Sequence, residues 1–253
     1  AAAYRKINAP GFYQQQRSSN DNAYLSTHYQ SKNLHYELFG GAVYNKAQQD
    51  ENGGIVSDTF LTQNYNDRQT VPVRFQDAAF GNGGTVKRSP VVNTFREATI
   101  FLQHSYTLGK IDTLYNEDST KYSYQLTPRF GISHRFEYGG EKHIYKDKRP
   151  DSLRYNDFFR HRFASTDSVF SIQKWYHIDN RLMLNGFIGK RENQLQFSAG
   201  IGNRYDRFST EFIVDKLKYS VLSNYLAGSL RKEALKPGAW FYNANAIFYL
   251  TGD

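Results

Sequence analysis

From Lys121 to Gly139 the chain alternates with a period of two. One set holds Tyr122, Tyr124, Leu126, Pro128, Phe130, Ile132, His134, Phe136 and Tyr138; the other holds Ser123, Gln125, Thr127, Arg129, Gly131, Ser133, Arg135 and Glu137. Successive side chains of a strand point to opposite sides, so one face is apolar and aromatic and the other polar and charged. A helix at 3.6 residues per turn does not sort residues this way. Such a strand needs an apolar medium on one side only, and roughly 9–11 alternating residues cross a bilayer as part of a barrel. The expected fold is all-β, an antiparallel up-and-down transmembrane β-barrel occupying residues 1–253 as one domain. On this segment Tyr122, Tyr124, Leu126, Phe130, Ile132, Phe136 and Tyr138 are expected to face lipid.

Other segments repeat the pattern less cleanly. Leu34, Tyr36, Leu38, Gly40, Ala42 and Tyr44 form one parity, as do Ala98, Ile100, Leu102, His104, Tyr106 and Leu108. Leu195, Phe197, Ala199, Ile201 and Tyr205 oppose Gln196, Ser198, Gly200, Gly202 and Arg204, and a blurred alternation runs from Trp240 to Leu250. Val169 to Lys190 reads as one long strand, with His177-Ile178-Asp179-Asn180 as a turn that would split it. Short connections are expected at 31–33, 109–120, 190–193 and 231–238. Long polar ones are expected at 47–94 and 140–167, and an intermediate one at 207–216. Their alternation suits short turns at one membrane face and long extracellular loops at the other. About eight strands result.

Composition supports the pattern where hydropathy alone would mislead. Mean hydropathy is −0.70, yet 20 Tyr and 19 Phe carry most of a 16% aromatic share. These residues favour strands and half-wet membrane interfaces. No run of 18 apolar residues offers a membrane helix. The absence of Cys excludes disulfides, thiolate catalysis and Cys-ligated zinc. The net charge of +8 is scattered rather than clustered, which argues against nucleic acid. No P-loop, nucleophile elbow or zinc-spaced His pair is present, so no enzyme activity, metal or cofactor is expected.

Several local stretches point further. Asn8-Ala9-Pro10-Gly11-Phe12-Tyr13-Gln14-Gln15-Gln16-Arg17 leads into Asp21-Asn22-Ala23-Tyr24-Leu25. The first long connection carries Glu51-Asn52-Gly53-Gly54-Ile55 and Val71-Pro72-Val73, and a strand closes with Gln103-His104-Ser105-Tyr106-Thr107-Leu108-Gly109. In this order they resemble the putative porin family of Bacteroidota outer membranes. The resemblance implies a bacterial outer-membrane barrel that passes small solutes, and a chain forming part of a larger barrel.

On that reading Gln125, Arg129, Arg135, Glu137 and Arg204 are pore-lining, since rings of charged side chains set selectivity. The same charges would equally fill a narrow lumen as paired ions. Asp67, Arg68, Arg74 and Asp77 in the first long loop are candidates for a constriction, against the plainer reading of a solvated loop. Asp50 to Gly54 with Asp58 has oxygen ligands but not the twelve-residue calcium spacing, so a glycine turn is the simpler reading. Lys142, His143, Lys146, Lys148 and Arg149 form a basic run suited to lipopolysaccharide phosphates or to plain solvation. Expected partners are outer-membrane lipid, lipopolysaccharide, small solutes and other outer-membrane proteins. Two further readings stay open: an accessory barrel acting through its long loops, and a soluble Tyr-rich β-sandwich binding glycans.

Overall fold

Strand after strand continues past the point where its alternation fades, and nine strands result among the described residues. The computed structural model describes residues 1–62, 68–75, 89–115, 122–148, 150, 168–189, 193–212, 215–234 and 240–251. The strands are β1 (Ala2–Ala9), β2 (Ser18–Gln30), β3 (Tyr36–Glu51), β4 (Val91–Tyr115), β5 (Tyr122–Asp147), β6 (Val169–Ile188), β7 (Asn193–Phe212), β8 (Asp215–Ala234) and β9 (Tyr242–Thr251). They form one sheet in sequence order, every neighbouring pair antiparallel. The all-β up-and-down expectation holds, with nine strands in place of about eight. The strand that sequence reasoning missed is β1. Its Arg5 and Lys6 put charge on both parities, so no alternation marks it. Val169 to Ile188 is one strand, with no turn at His177-Ile178-Asp179-Asn180. The expected intermediate connection at 207–216 shrinks to residues 213–214 between two strands.

Cross-strand partners share a face, so the register sorts the whole sheet. Ile100 pairs with Tyr138, Tyr138 with Ile178, Ile178 with Tyr205 and Tyr205 with Leu222. This face also carries Leu102, Phe136, Leu182, Ile201, Leu226 and Phe248, and most of these side chains are 40–67% exposed. Among the polar exceptions, His104 Nε2 lies 3.1 Å from His134 Nδ1 and Asn180 Nδ2 donates to Asn203 Oδ1 at 3.3 Å. Soluble monomers rarely expose an apolar surface of this extent, and such faces mark contact with a membrane or another protein.

The opposite face is concave. Glu37 of β3 and Asn245 of β9, six strands apart, line the same open cavity of about 450 Å³. We call this face inward. Among the described residues curvature does not close the sheet: β1 and β9 each pair on one side only.

One feature breaks the long alternation of β5. Leu108 pairs with Phe130 but Gly109 pairs with Pro128, leaving Arg129 as a bulge with no cross-strand partner. Past a one-residue bulge the faces exchange. Tyr122, Tyr124 and Leu126 therefore lie on the side opposite Phe130, Ile132, Phe136 and Tyr138, and Tyr124 and Leu126 line an inward cavity with Thr107 and Phe187. The expectation that all seven residues share one face is corrected here. By the same register Gln125 pairs with Asp112 on the outward parity, while it still borders that cavity.

At the end bearing the long connections the strands run into a packed cap. Val71 and Val73 of the β3–β4 connection are buried, as are Val91, Val169 and Asp147. Gln14 Nε2, between β1 and β2, donates to the Val71 carbonyl at 2.7 Å, and Asn52 Nδ2 donates to the Gln14 carbonyl at 3.3 Å. Gly53 and Gly54 take positive φ, with the Gly54 amide donating to Asn52 Oδ1 at 3.0 Å. The candidate calcium loop is thus a glycine turn closed by its own asparagine.

Candidate functional site

The inward face of β5–β8 gathers charged side chains into a chain of hydrogen bonds. In each strand the alternation sends polar residues inward at every second position, and pairing places them side by side. One row runs Gln103, Arg135, Arg181, Gly202, Tyr225 from β4 to β8. The next row towards the cap includes Glu137, Asp179 and Arg204.

Arg135 Nη2 donates to Glu137 Oε2 at 2.6 Å, and His177 Nε2 lies 3.1 Å from the other Glu137 oxygen. The Tyr225 hydroxyl donates to Asp179 at 2.8 Å and accepts from Arg181 Nε at 3.3 Å. Arg204 grips Asp206 through Nε at 2.9 Å and Nη2 at 3.3 Å, while Trp175 Nε1 donates to the same carboxylate at 2.8 Å. Nearer the turns, Ser198 Oγ donates to Asn185 Oδ1 at 2.7 Å and Asn185 Nδ2 to Ser133 Oγ at 3.1 Å. Side chains of this kind tolerate burial only when paired in this way.

Tyr225 is the keystone of the group, 2% exposed. Its ring lies over Gly202, where a Cβ would strike the ring atoms. The Arg181 guanidinium sits 5.7 Å from the ring centroid, within cation–π range. Glycine opposite a tyrosine is what lets the ring lie flat along the wall and reach Asp179.

The expected pore-lining residues therefore divide. Arg135, Glu137 and Arg204 are brought together on the inward face. Arg129 sits at the bulge, and Gln125, beyond it on the parity of Asp112, borders the cavity lined by Tyr124 and Leu126. Of the four loop residues, Arg68 stacks over Phe12, its Cζ 5.7 Å from the ring centroid, and Arg74 Nε donates to the Ile55 carbonyl at 3.1 Å. Both are held within the cap. Asp67 and Asp77 lie outside the described residues. Lys142, His143 and Lys146 belong to β5 rather than to a loop, and Arg149 lies outside the described residues.

The sequence reading missed His177, Asp179, Arg181, Asp206 and Tyr225. A signal for the first three existed: Trp175, His177, Asp179 and Arg181 are consecutive members of one parity in β6. Nothing local predicts that Tyr225, 46 residues away, meets Asp179.

The arrangement can offer a passing solute hydrogen bonds of both polarities. It does not present a ring of one sign, because Arg135, Arg181 and Arg204 stand against Glu137, Asp179 and Asp206. No curated protein and no solved structure matches the chain. A family model described as putative porin matches residues 1–253. The chain therefore belongs to the putative porin family.

Proposed function

We propose that the nine strands are part of the wall of a bacterial outer-membrane channel for small polar solutes. The observation that carries this is the division of one sheet into an open apolar face and a concave, hydrogen-bonded polar face. A barrel needs that division, with lipid on one side and water on the other. The free edges of β1 and β9 take further strands to complete the wall, since unpaired backbone groups are not tolerated in hydrocarbon. The balanced charges of the inward network support weak selectivity between small cations and anions.

The test is planar-bilayer conductance of the full-length protein. Discrete steps with a potassium-to-chloride permeability ratio near one are expected; a protein that inserts but gives no steps would overturn the channel. The packed cap favours a second reading, an accessory barrel that docks partners through its connections. Co-purification of a stoichiometric outer-membrane partner, lost on shortening residues 52–75 and without conductance, would decide for it.

A further inference from the structure

The outward face stops being apolar along one continuous line. Lys6 pairs with Asp21, Asp21 with Lys46, Lys46 with Arg96, Arg96 with Lys142 and Lys142 with Lys174. Each cation is an even number of residues from the apolar outward positions of its strand, so all project to the lipid side. Two residues nearer the sheet centre, Tyr4, Tyr44 and Tyr176 form an aromatic collar on the same face. Tyrosines at that position mark the level where hydrocarbon gives way to headgroups. Beyond the row lies the packed cap. The cations thus occupy the layer between collar and cap, on the side of the long connections.

Their charges are matched from within only in part. Asp21 is shared by Lys6 and Lys46, 3.8 Å from each ammonium. Among the described residues no carboxylate forms an ion pair with Arg96, Lys142 or Lys174. Like charges directly opposite on neighbouring strands repel, with Cβ atoms only about 4.5–5.5 Å apart. Facing lipid, water and counterions screen such a row poorly. An anion fixed at headgroup depth would relieve it.

We propose that Lys46, Arg96, Lys142 and Lys174 bind the phosphate groups of an anionic lipid in the leaflet beside the long connections. The four span about 14 Å, from strands roughly 4.8 Å apart, enough for a headgroup bearing two phosphates. Arg96, near the centre, offers the bidentate fork that phosphate favours, and the lysines add point charge on either side. Tyr44 and Tyr176 lie where the upper acyl carbons would pack.

This rests on the membrane reading above, and the experiment separates the two. The full-length protein, folded in zwitterionic detergent, is titrated with diphosphorylated lipid A, its monophosphoryl form and inorganic phosphate, with binding followed by native mass spectrometry. Wild type is expected to retain the diphosphorylated lipid most tightly, less at high salt. The K46Q/R96Q/K142Q/K174Q variant is expected to weaken it at least tenfold while keeping conductance and the gel mobility of the folded form. K110Q/K232Q, at the opposite end of the sheet, should change it less than twofold. Should the quadruple variant fail to fold, R96Q alone with the salt titration carries the same comparison. Equal lipid retention by variant and wild type overturns the site. So does an equal loss in K110Q/K232Q, or displacement of the lipid by millimolar inorganic phosphate. A protein that never inserts into vesicles would instead overturn the membrane reading itself.

Discussion

Tyr225 on β8 and Phe39 on β3 lie on the same inward cross-strand row, yet the first is 2% exposed and the second 40%. Between them the row passes through Gln103, Arg135, Arg181 and Gly202. On the β5–β8 side it is tied by hydrogen bonds to the rows above. On the β2–β3 side it ends in His28 stacked on Phe39, centroids 4.4 Å apart, with His28 Nε2 3.0 Å from Glu37. β1 beyond is exposed throughout. The same alternation built both walls. What differs is the neighbourhood: Tyr225 has a glycine to lie on and a buried carboxylate to bind, whereas Phe39 has one ring and open space.

The largest expected effect follows from that contrast. Tyr225→Ala removes a buried ring and strips Asp179 of its donor, which should cost about 3–5 kcal/mol. Phe39→Ala, half open already, should cost about 1 kcal/mol. Urea unfolding of the protein in lipid vesicles gives both. Equal losses would mean that the two walls are equivalent and the network is not what stabilises β5–β8. Next in size is Gly202→Val, whose side chain must enter the space of the Tyr225 ring. Overpacking of this kind should cost about 1–3 kcal/mol. In the double variant with Tyr225→Ala that penalty should largely vanish, since the two changes share one contact.

Selectivity sharpens the comparison at a smaller scale. Glu137→Gln leaves Arg135 without its carboxylate, so the permeability ratio should move towards chloride. Arg204→Gln leaves Asp206 in excess and should move it towards potassium. Glu37→Gln, on the open wall, should move the ratio less than either. If all three behave alike, the charges act through the average lumen potential and the paired network has no special part.

Much of the fold was legible because lipid imposes a rule on sequence. Where a strand crosses hydrocarbon, every second residue must be apolar, and β4 and β5 show it over Ala98–Leu108 and Phe130–Tyr138. Beyond the hydrocarbon the rule lapses while the backbone ladder continues. That is why residues 47–51, 140–147 and 207–212 read as loop and are strand. Arg135, Glu137 and Arg204 were legible as inward charges by parity. Their partners were not, because register depends on how distant segments pair. Glu137 meets His177 across 40 residues and Asp179 meets Tyr225 across 46.

The bulge at Arg129 is the sharpest case of a feature invisible to pattern, because the alternation on either side of it is unbroken in sequence while the faces exchange. The consequence is local and should cost little stability, so its test is directional. In an otherwise Cys-free chain, Phe130→Cys should react with a lipid-soluble maleimide and Leu126→Cys with a water-soluble one. Deleting Arg129 restores continuous pairing of Gly109 with the residue next to Phe130. Leu126 then lies three positions from Phe130 and keeps its pairing with Ile111, so Tyr124 and Leu126 stay inward; Leu126→Cys should keep its preference for the aqueous reagent and Phe130→Cys its own. If Leu126→Cys prefers the lipid-soluble reagent in the intact chain, the strand does not change faces at Arg129. The inward wall at the short-turn end would then be lined by Ser123, Gln125 and Thr127 in place of the tyrosines.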